Sequence, residues 1–273
     1  MTNDHSKPSI RIGNQTSFSV SPTLPFEYAV KNGFKAFEWF PDKQTSGIGW
    51  DLDDINSDTR SYINMTAFKN DVNLTVHTPW RANPLLVEGN EVILKTFNFA
   101  RDINASLVNI HLYTDKGLDN YVKSIIPVIK RAKEFGIKLA IENTPITTPD
   151  DFNKMFVIIQ NLNGIKIENI GMCLDIGHAN LCSLTQNDYI AFIDQITPDV
   201  PIIHIHLHEN YGDYDSHLPL FTGPSQNNDS GIRELVKRLK KRRFSGSIIL
   251  EQWPQPPSLL NQSRDRLYQI FGH

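Results

Sequence analysis

Cysteine is nearly absent from this chain: Cys173 and Cys182 are the only two in 273 residues. That excludes a disulfide-stapled scaffold and fits a reducing compartment. Long apolar runs are missing too, and the opening MTNDHSKPS lacks the apolar stretch of a secretion signal. No membrane association and a cytoplasmic location are therefore expected. Positive charge is in short supply, with 27 Lys and Arg against 30 Asp and Glu for a formal net charge of −3. Neither nucleic acid nor an anionic membrane surface is the expected partner. The one dense basic run, KRLKKRR from Lys237 to Arg243, reads as the solvated face of a helix. No glycine-rich phosphate fingerprint follows the first strand-like run, which counts against a dinucleotide-binding fold.

What is present is a globular composition, 40% hydrophobic and 21% charged, sufficient for a sizeable core. Short β-branched or aromatic runs alternate with longer segments of helical period, the signature of βα units and a parallel sheet. The strand-like runs are SIRIGNQTS, FKAFEWF, NLTVHTPW, LVNIHLY, IKLAIENT, IGMCLDIGHA, PIIHIHLHEN and SGSIILEQW. Between them lie helical patterns such as LDNYVKSIIPVIKRAKEFG, with a stop at Gly136. Another is TPDDFNKMFVIIQNLNG, with Thr148 as N-cap and Pro149 in the first turn. A last helix is expected from Ser258 to Phe271. Eight such units in this length predict an α/β fold, a single-domain (β/α)8 TIM barrel over 10–273, preceded by a short polar tail over 1–9.

In such a barrel, active sites lie at the C-terminal ends of the strands. Strand two ends near Glu38, strand three at His77, strand four at His111 and strand five at Glu142. Strand six ends with Asp175 and His178, strand seven offers His206 with Asp215 and His217 in the loop beyond, and strand eight ends at Glu251. Any one of these has a structural reading, since strand-end histidines are commonly just hydrogen-bonded. Together they do not. Glu142, Asp175, Asp215 and Glu251 would bring about four negative charges into one cavity with almost no Lys or Arg beside them, which demands neutralisation. A divalent cation supplies it, and histidine nitrogen with carboxylate oxygen suits Zn, Mn, Co or Fe. His204 and His208 share a strand face with His206 and are expected to support it by hydrogen bonding, with His208 also a candidate for the pocket. Cys173 points the same way and is expected to pack. Trp39, Trp50, Trp80, Tyr113, Tyr211 and Trp253 lie near strand ends, placed either to wall the pocket or to pack the barrel rim.

At CLDIGHANL and HLHENYGDYDSHLPL the sequence resembles the xylose isomerase-like barrels, and the resemblance runs from IRIGNQTSF to IILEQW. That superfamily contains sugar and sugar phosphate isomerases and epimerases, inosose dehydratases and apurinic-site nucleases of the endonuclease IV type. The first stretch is similar to its Asp-x-Gly-His strand end, the second to its His-x-His-Asp-Asn…Asp-x-His-x-x-x-Gly segment. For the isomerase branch the resemblance implies one divalent metal on Glu142, Asp175, His206 and Glu251, the two glutamates as acid/base pair, and His178 beside the substrate. For the nuclease branch it implies nine ligands around three zinc ions. Here those positions hold His77, His111, Glu142, Asp175, His178, His206, Asp215, His217 and Glu251. AIENTP, CLDIGHANL and Glu38 in FEWF are similar to the isomerase branch. The chain departs from both branches where Glu209 stands for an Asp and FTGPS, with Gly223, stands for Gly-Glu-Gly. That departure makes FTGPS the expected substrate-specific loop.

The activity implied is a metal-dependent sugar or sugar phosphate isomerase or epimerase working through a metal-stabilised cis-enediolate. Glu38, Trp80, His208 and Trp253 are the candidates for its substrate pocket. The alternatives are a multinuclear zinc phosphoesterase of the endonuclease IV kind and an inosose-type dehydratase. One bound ion suits the isomerase and up to three the hydrolase, with His77, His111, His178, Asp215 and His217 as candidates for further metal or for substrate. A homo-oligomer is left open.

Overall fold

A computed structural model describes residues 10–162 and 167–272. The expected tail over 1–9, the Gly164 end of the fifth helical pattern and His273 lie outside the described residues. Eight parallel strands close into a barrel in sequence order, with the first paired to the last. They are β1 (Arg11–Gln15), β2 (Ala36–Trp39), β3 (Asn73–His77), β4 (Leu107–His111), β5 (Lys138–Glu142), β6 (Ile170–Asp175), β7 (Ile202–Leu207) and β8 (Ser247–Leu250). Among the described residues the surrounding helices are α1 (Thr23–Lys31), α2 (Ser57–Asn70), α3 (Val87–Asp102), α4 (Leu118–Phe135), α5 (Pro149–Gln160), α6 (Ile176–Leu181), α7 (Tyr189–Gln195), α8 (Ser230–Lys241) and α9 (Ser258–Phe271). The fold is the single-domain (β/α)8 barrel.

Local chemistry sets the helix ends. Thr148 accepts from Asp151 N while Asp151 returns a bond to the Thr148 amide, so the first turn of α5 has both exposed donors satisfied. Gly136 ends α4 at φ 66°, a left-handed conformation that costs glycine little. On α8 the basic run stays outside: Arg238 pairs with Asp194 and Glu234, and Lys237 with Glu234.

The period-2 pleat divides the molecule into an apolar shell and a polar interior. Phe37, Ile110, Ile141, Leu174, Ile205 and Leu250 are buried between barrel and helices. Phe26 of α1 meets Phe37 edge-on at 5.3 Å. Each such side chain contributes roughly 1.5–3 kcal/mol relative to exposure. The inward positions differ from the branched aliphatics that usually fill a TIM barrel. Glu38, Thr75, His77, Asn109, Glu142, Asp175, His204 and His206 are all buried there.

The structure moves His178 off strand six and decides between the two alternatives for Trp39 and Trp50 in favour of packing. His178 is not on strand six but in the first turn of α6, where Asp175 caps the helix by accepting from the His178 amide at 2.6 Å. Trp39 and Trp50 do not approach the barrel mouth. They pack edge-to-face 5.8 Å apart in the outer core, because Trp39 follows inward-facing Glu38 and so points the other way.

Candidate functional site

Among the described residues, the fold gathers seven histidines in and above the barrel: His77, His111, His178, His204, His206, His208 and His217. At the centre, one ligand atom from each of Glu142, Asp175, His206 and Glu251 falls within 4.8 Å of the other three, and all four residues are buried. His206 Nδ1 faces the carboxylates, at 3.2 Å from Glu142, 3.5 Å from Glu251 and 3.8 Å from Asp175. Its Nε2 lies 2.7 Å from Glu38, an ion-pair contact on the side of the ring away from the other carboxylates. Asp175 divides its oxygens: Oδ1 caps α6, while Oδ2 has no hydrogen-bond partner. Glu251 Oε2 is likewise buried and without a hydrogen-bond partner. Two buried carboxylate oxygens without hydrogen-bond partners, beside an imidazole nitrogen, fit a divalent cation of the Zn, Mn, Co or Fe kind.

Two further groups flank this quartet. On one side His77 Nε2 lies 2.9 Å and His111 Nε2 3.6 Å from Glu142 Oε2, and His77, Glu142 and His206 form a second cluster of ligand atoms. On the other side Asp215 Oδ2 joins His178 at 3.2 Å to His217 at 3.1 Å, and His208, Asp215 and His217 form a third. A two-way backbone pairing of Glu209 with Leu218 folds the loop after β7 back on itself, which carries Asp215 and His217 over the mouth. His208 is fully enclosed, with Nε2 3.3 Å from Asp175 and its ring stacked on His217 at 3.9 Å. Gly177 makes room for it, since a Cβ there would lie 1.9 Å from the His208 ring.

Charge is balanced almost wholly by imidazole. Among the described residues, every ion pair of Glu38, Glu142, Asp175, Asp215 and Glu251 is with a histidine. Burial works against the Glu142 anion, yet His206, His111 and His77 hold its carboxyl well below the usual range. Burial pushes Glu251 up to about 7, against the pull of His206 and His217, with Asp175 and Glu142 adding to the rise. His217 is brought to about 10 because Asp215 and Glu251 outweigh its burial, whereas burial dominates at His111 and lowers it to about 4. The two glutamates thus have well-separated proton affinities.

Several supporting residues carry no strong sequence signal. Asn109 donates to Glu142 from the same face of β4 as His111, two residues on, a spacing the pleat makes legible. Asn143 exchanges bonds with the Asp175 backbone at 2.8 and 2.9 Å and its carbonyl takes His178 Nδ1 at 2.8 Å, tying β5 to β6. Thr75 and His204 bind Glu38 Oε2 at 2.7 and 2.8 Å, so Glu38 serves two imidazoles and a hydroxyl.

A cavity of about 710 Å³ opens above these groups, lined by His77, Trp80, His111, His178, Asp215, His217 and Glu251 among others. Three residues expected in the substrate pocket are not among its lining. Glu38 lies beneath the quartet, held by His204 and His206. His208 faces a separate cavity of about 290 Å³ behind the site, which Tyr211 also lines. Trp253 turns away to meet Tyr28 of α1 at 5.5 Å, because β8 ends at Leu250 and the alternation stops with it. The FTGPS segment is not at the mouth either. Glu209 fastens it by accepting from Gly223 N at 2.8 Å and Ser225 N at 3.2 Å, and Pro224 and Ser225 line the rear cavity.

A closed (β/α)8 barrel with a His and carboxylate cluster at the strand ends defines a class, the barrels whose C-terminal mouth carries a metal-type site. Within that class, the profile of the xylose isomerase-like TIM barrels matches residues 26–270, and the chain belongs to that family. It is 26% identical over 204 residues to MJ1311, an uncharacterised protein of Methanocaldococcus jannaschii, covering 66% of this chain and 64% of that one. This chain therefore spans a little under two thirds of that relative's length. It is 25% identical over 219 residues to a probable endonuclease 4 of Thermoplasma volcanium, covering 76% of each. In structure it resembles a D-tagatose 3-epimerase-like protein with a TM-score of 0.74 and 22% identity, covering 96% and 98% of the two chains, a likeness in fold. Among the described residues no helix is long and apolar enough to cross a membrane.

The fit of His208 against Gly177 is testable. Gly177→Ala is expected to cost about 1–3 kcal/mol by overpacking, lowering the urea midpoint. An unchanged midpoint would mean that the ring moves aside freely.

Proposed function

We propose that the protein is a divalent-metal-dependent isomerase or epimerase of a sugar or related polyhydroxy ketone. The observation that carries this reading is the convergence of Glu142, Asp175, His206 and Glu251, all four buried, on one ligand group. These four residues would hold the ion, which when bound supplies Lewis acidity toward the substrate's carbonyl and adjacent hydroxyl. Glu251 lines the mouth cavity, on the side from which a substrate would enter. Glu142 lies deeper, held by Asn109, His77 and His206; one of the two glutamates would take the proton next to the carbonyl as a carboxylate, and the other, in its protonated form, would return one. His178 and Asp215 line the same cavity and orient substrate hydroxyls. The family and its epimerase neighbours support an enzyme of this kind.

A second reading, a multinuclear phosphoesterase, draws on the ligand groups beside the quartet, His77 with Glu142 and His206, which shares two of its residues, and His208 with Asp215 and His217, and on the endonuclease-named relative. Metal count separates the two, with three ions and cleavage of abasic-site DNA on the hydrolase side. The dehydratase reading shares the first proton abstraction and differs in what leaves.

Glu251→Gln is expected to reduce turnover roughly a hundred- to ten-thousand-fold while leaving metal largely bound. The check is solvent deuterium uptake next to the carbonyl across a ketose panel, and uptake at the unmodified rate would remove Glu251 from this role. Glu38→Gln acts on the orientation of His206 and is expected to weaken metal binding about 10–100-fold, read by competition with a chromophoric chelator. Wild-type affinity in that variant would show that Glu38 does not position the ligand.

A further inference from the structure

Beneath the quartet the barrel interior holds a further set of metal-type ligands, of which the proposed reaction uses only His206. Cys173 and His204 are register partners on β6 and β7, one inward layer below Asp175 and His206, which pair in the same way. Strand alternation turns all four side chains to the same side of the sheet. One ligand atom from each of Cys173, His204 and His206 falls within 4.8 Å of the other two. All three residues are fully buried.

Packing accounts for part of this arrangement. Cys173 clusters with Leu107 and Ala140, with Ile203 against them, an apolar contact that needs no sulfur. The polar atoms around it are less well served. His204 gives Nε2 to Glu38 at 2.8 Å, while its Nδ1 has no hydrogen-bond partner. His206 Nε2 and Glu38 Oε1 lie 2.7 Å apart as an ion pair, yet neither atom has a hydrogen-bond partner. The other groups at this depth are already engaged. Thr75 binds Glu38 Oε2 at 2.7 Å, and Ser247, the register partner of His204 on β8, accepts from Asn73 at 3.0 Å. Glu142, the register partner of Cys173 on β5, is held by Asn109 and His77. A thiol is too weak a donor to satisfy an imidazole, and a buried nitrogen without a partner is costly.

Donor chemistry says what would relieve that cost. The quartet offers three carboxylates and one imidazole, an oxygen-rich set. The inner set offers one sulfur and two imidazoles, which select zinc and its softer neighbours over magnesium or manganese. A divalent ion there takes the place of the thiol proton, and the thiolate and Glu38 together balance its two charges.

We propose that Cys173, His204 and His206 form a second, thiophilic metal seat one layer below the quartet, suited to zinc. The quartet opens to the mouth through Glu251 and fills first; the enclosed seat fills when a soft ion is supplied in excess. The two are coupled through the His206 ring that both contain. The seat is independent of the isomerase or epimerase reading.

Cobalt(II) reads this seat directly, because its bond to a thiolate gives an intense near-ultraviolet charge-transfer band that carboxylate and imidazole ligands do not give. The ion alone would be titrated into chelator-stripped, full-length protein and followed to equilibrium. The unmodified protein is expected to show weak visible absorption first and then the thiolate band. Cys182, the other cysteine, lies apart as the C-cap of α6, and Cys182→Ser should keep the band. Cys173→Ser and Cys173→Ala should each lose it entirely and bind one equivalent fewer, with the visible absorption of the quartet retained. His204→Gln should weaken the affinity read from the band. Cobalt bound by the unmodified protein without a thiolate band would overturn the proposal whatever the variants do, and so would a band that survives Cys173→Ser. The first of these outcomes leaves the quartet standing as a metal site; unmodified protein that binds no cobalt at all would overturn both.

Discussion

Five carboxylates crowded against seven imidazoles inside one barrel are the constraint on which the rest depends. Burying so many acids without Lys or Arg is costly unless each negative charge meets a proton or a cation. Histidine meets that demand in a graded way, because its proton can leave when a metal arrives. The carboxylate oxygens left without hydrogen-bond partners on Asp175 and Glu251 are where the need for a cation is sharpest.

The apolar shell makes the polar interior affordable. Phe26, Phe37, Trp39, Trp50 and Phe99 form a continuous aromatic layer outside β2, with centroid separations of 5.0–6.3 Å. Stability carried by that outer layer leaves the inner face of the sheet free to present chemistry. Rigidity follows from the same division, since Glu142, Asp175 and His206 stand on strands, His178 in the first turn of a capped helix, and Glu251 directly after β8 with its amide bonded to the Leu207 carbonyl. The loop bearing Asp215 and His217 is the exception, and its closure by Glu209 and Leu218 compensates.

Much of this was legible in the sequence because strands alternate. Eight runs separated by helical segments identify the barrel, and His204, His206 and His208 reveal one inward face of β7. The same rule, applied strictly, already sends Trp39 outward from Glu38. Where alternation lapses, sequence reading lapses with it. Trp253 lies past the end of β8 and turns to Tyr28. FTGPS looked like a substrate loop because it departs from related chains, yet Glu209 binds its backbone, a side-chain-to-amide pairing that leaves no periodic trace. Glu38 is a similar case: its residue type suggested the pocket, while the hydrogen bonds of His204 and Thr75 hold it underneath.

The central claim is that this cluster exists to hold a divalent cation, and elemental analysis joined to thermal unfolding addresses it most directly. Protein purified without chelator should carry about one equivalent of a transition metal, and chelation should lower the unfolding midpoint, restored on adding the ion back. Protein that binds no divalent metal, with a midpoint indifferent to chelator and ion alike, would contradict the account.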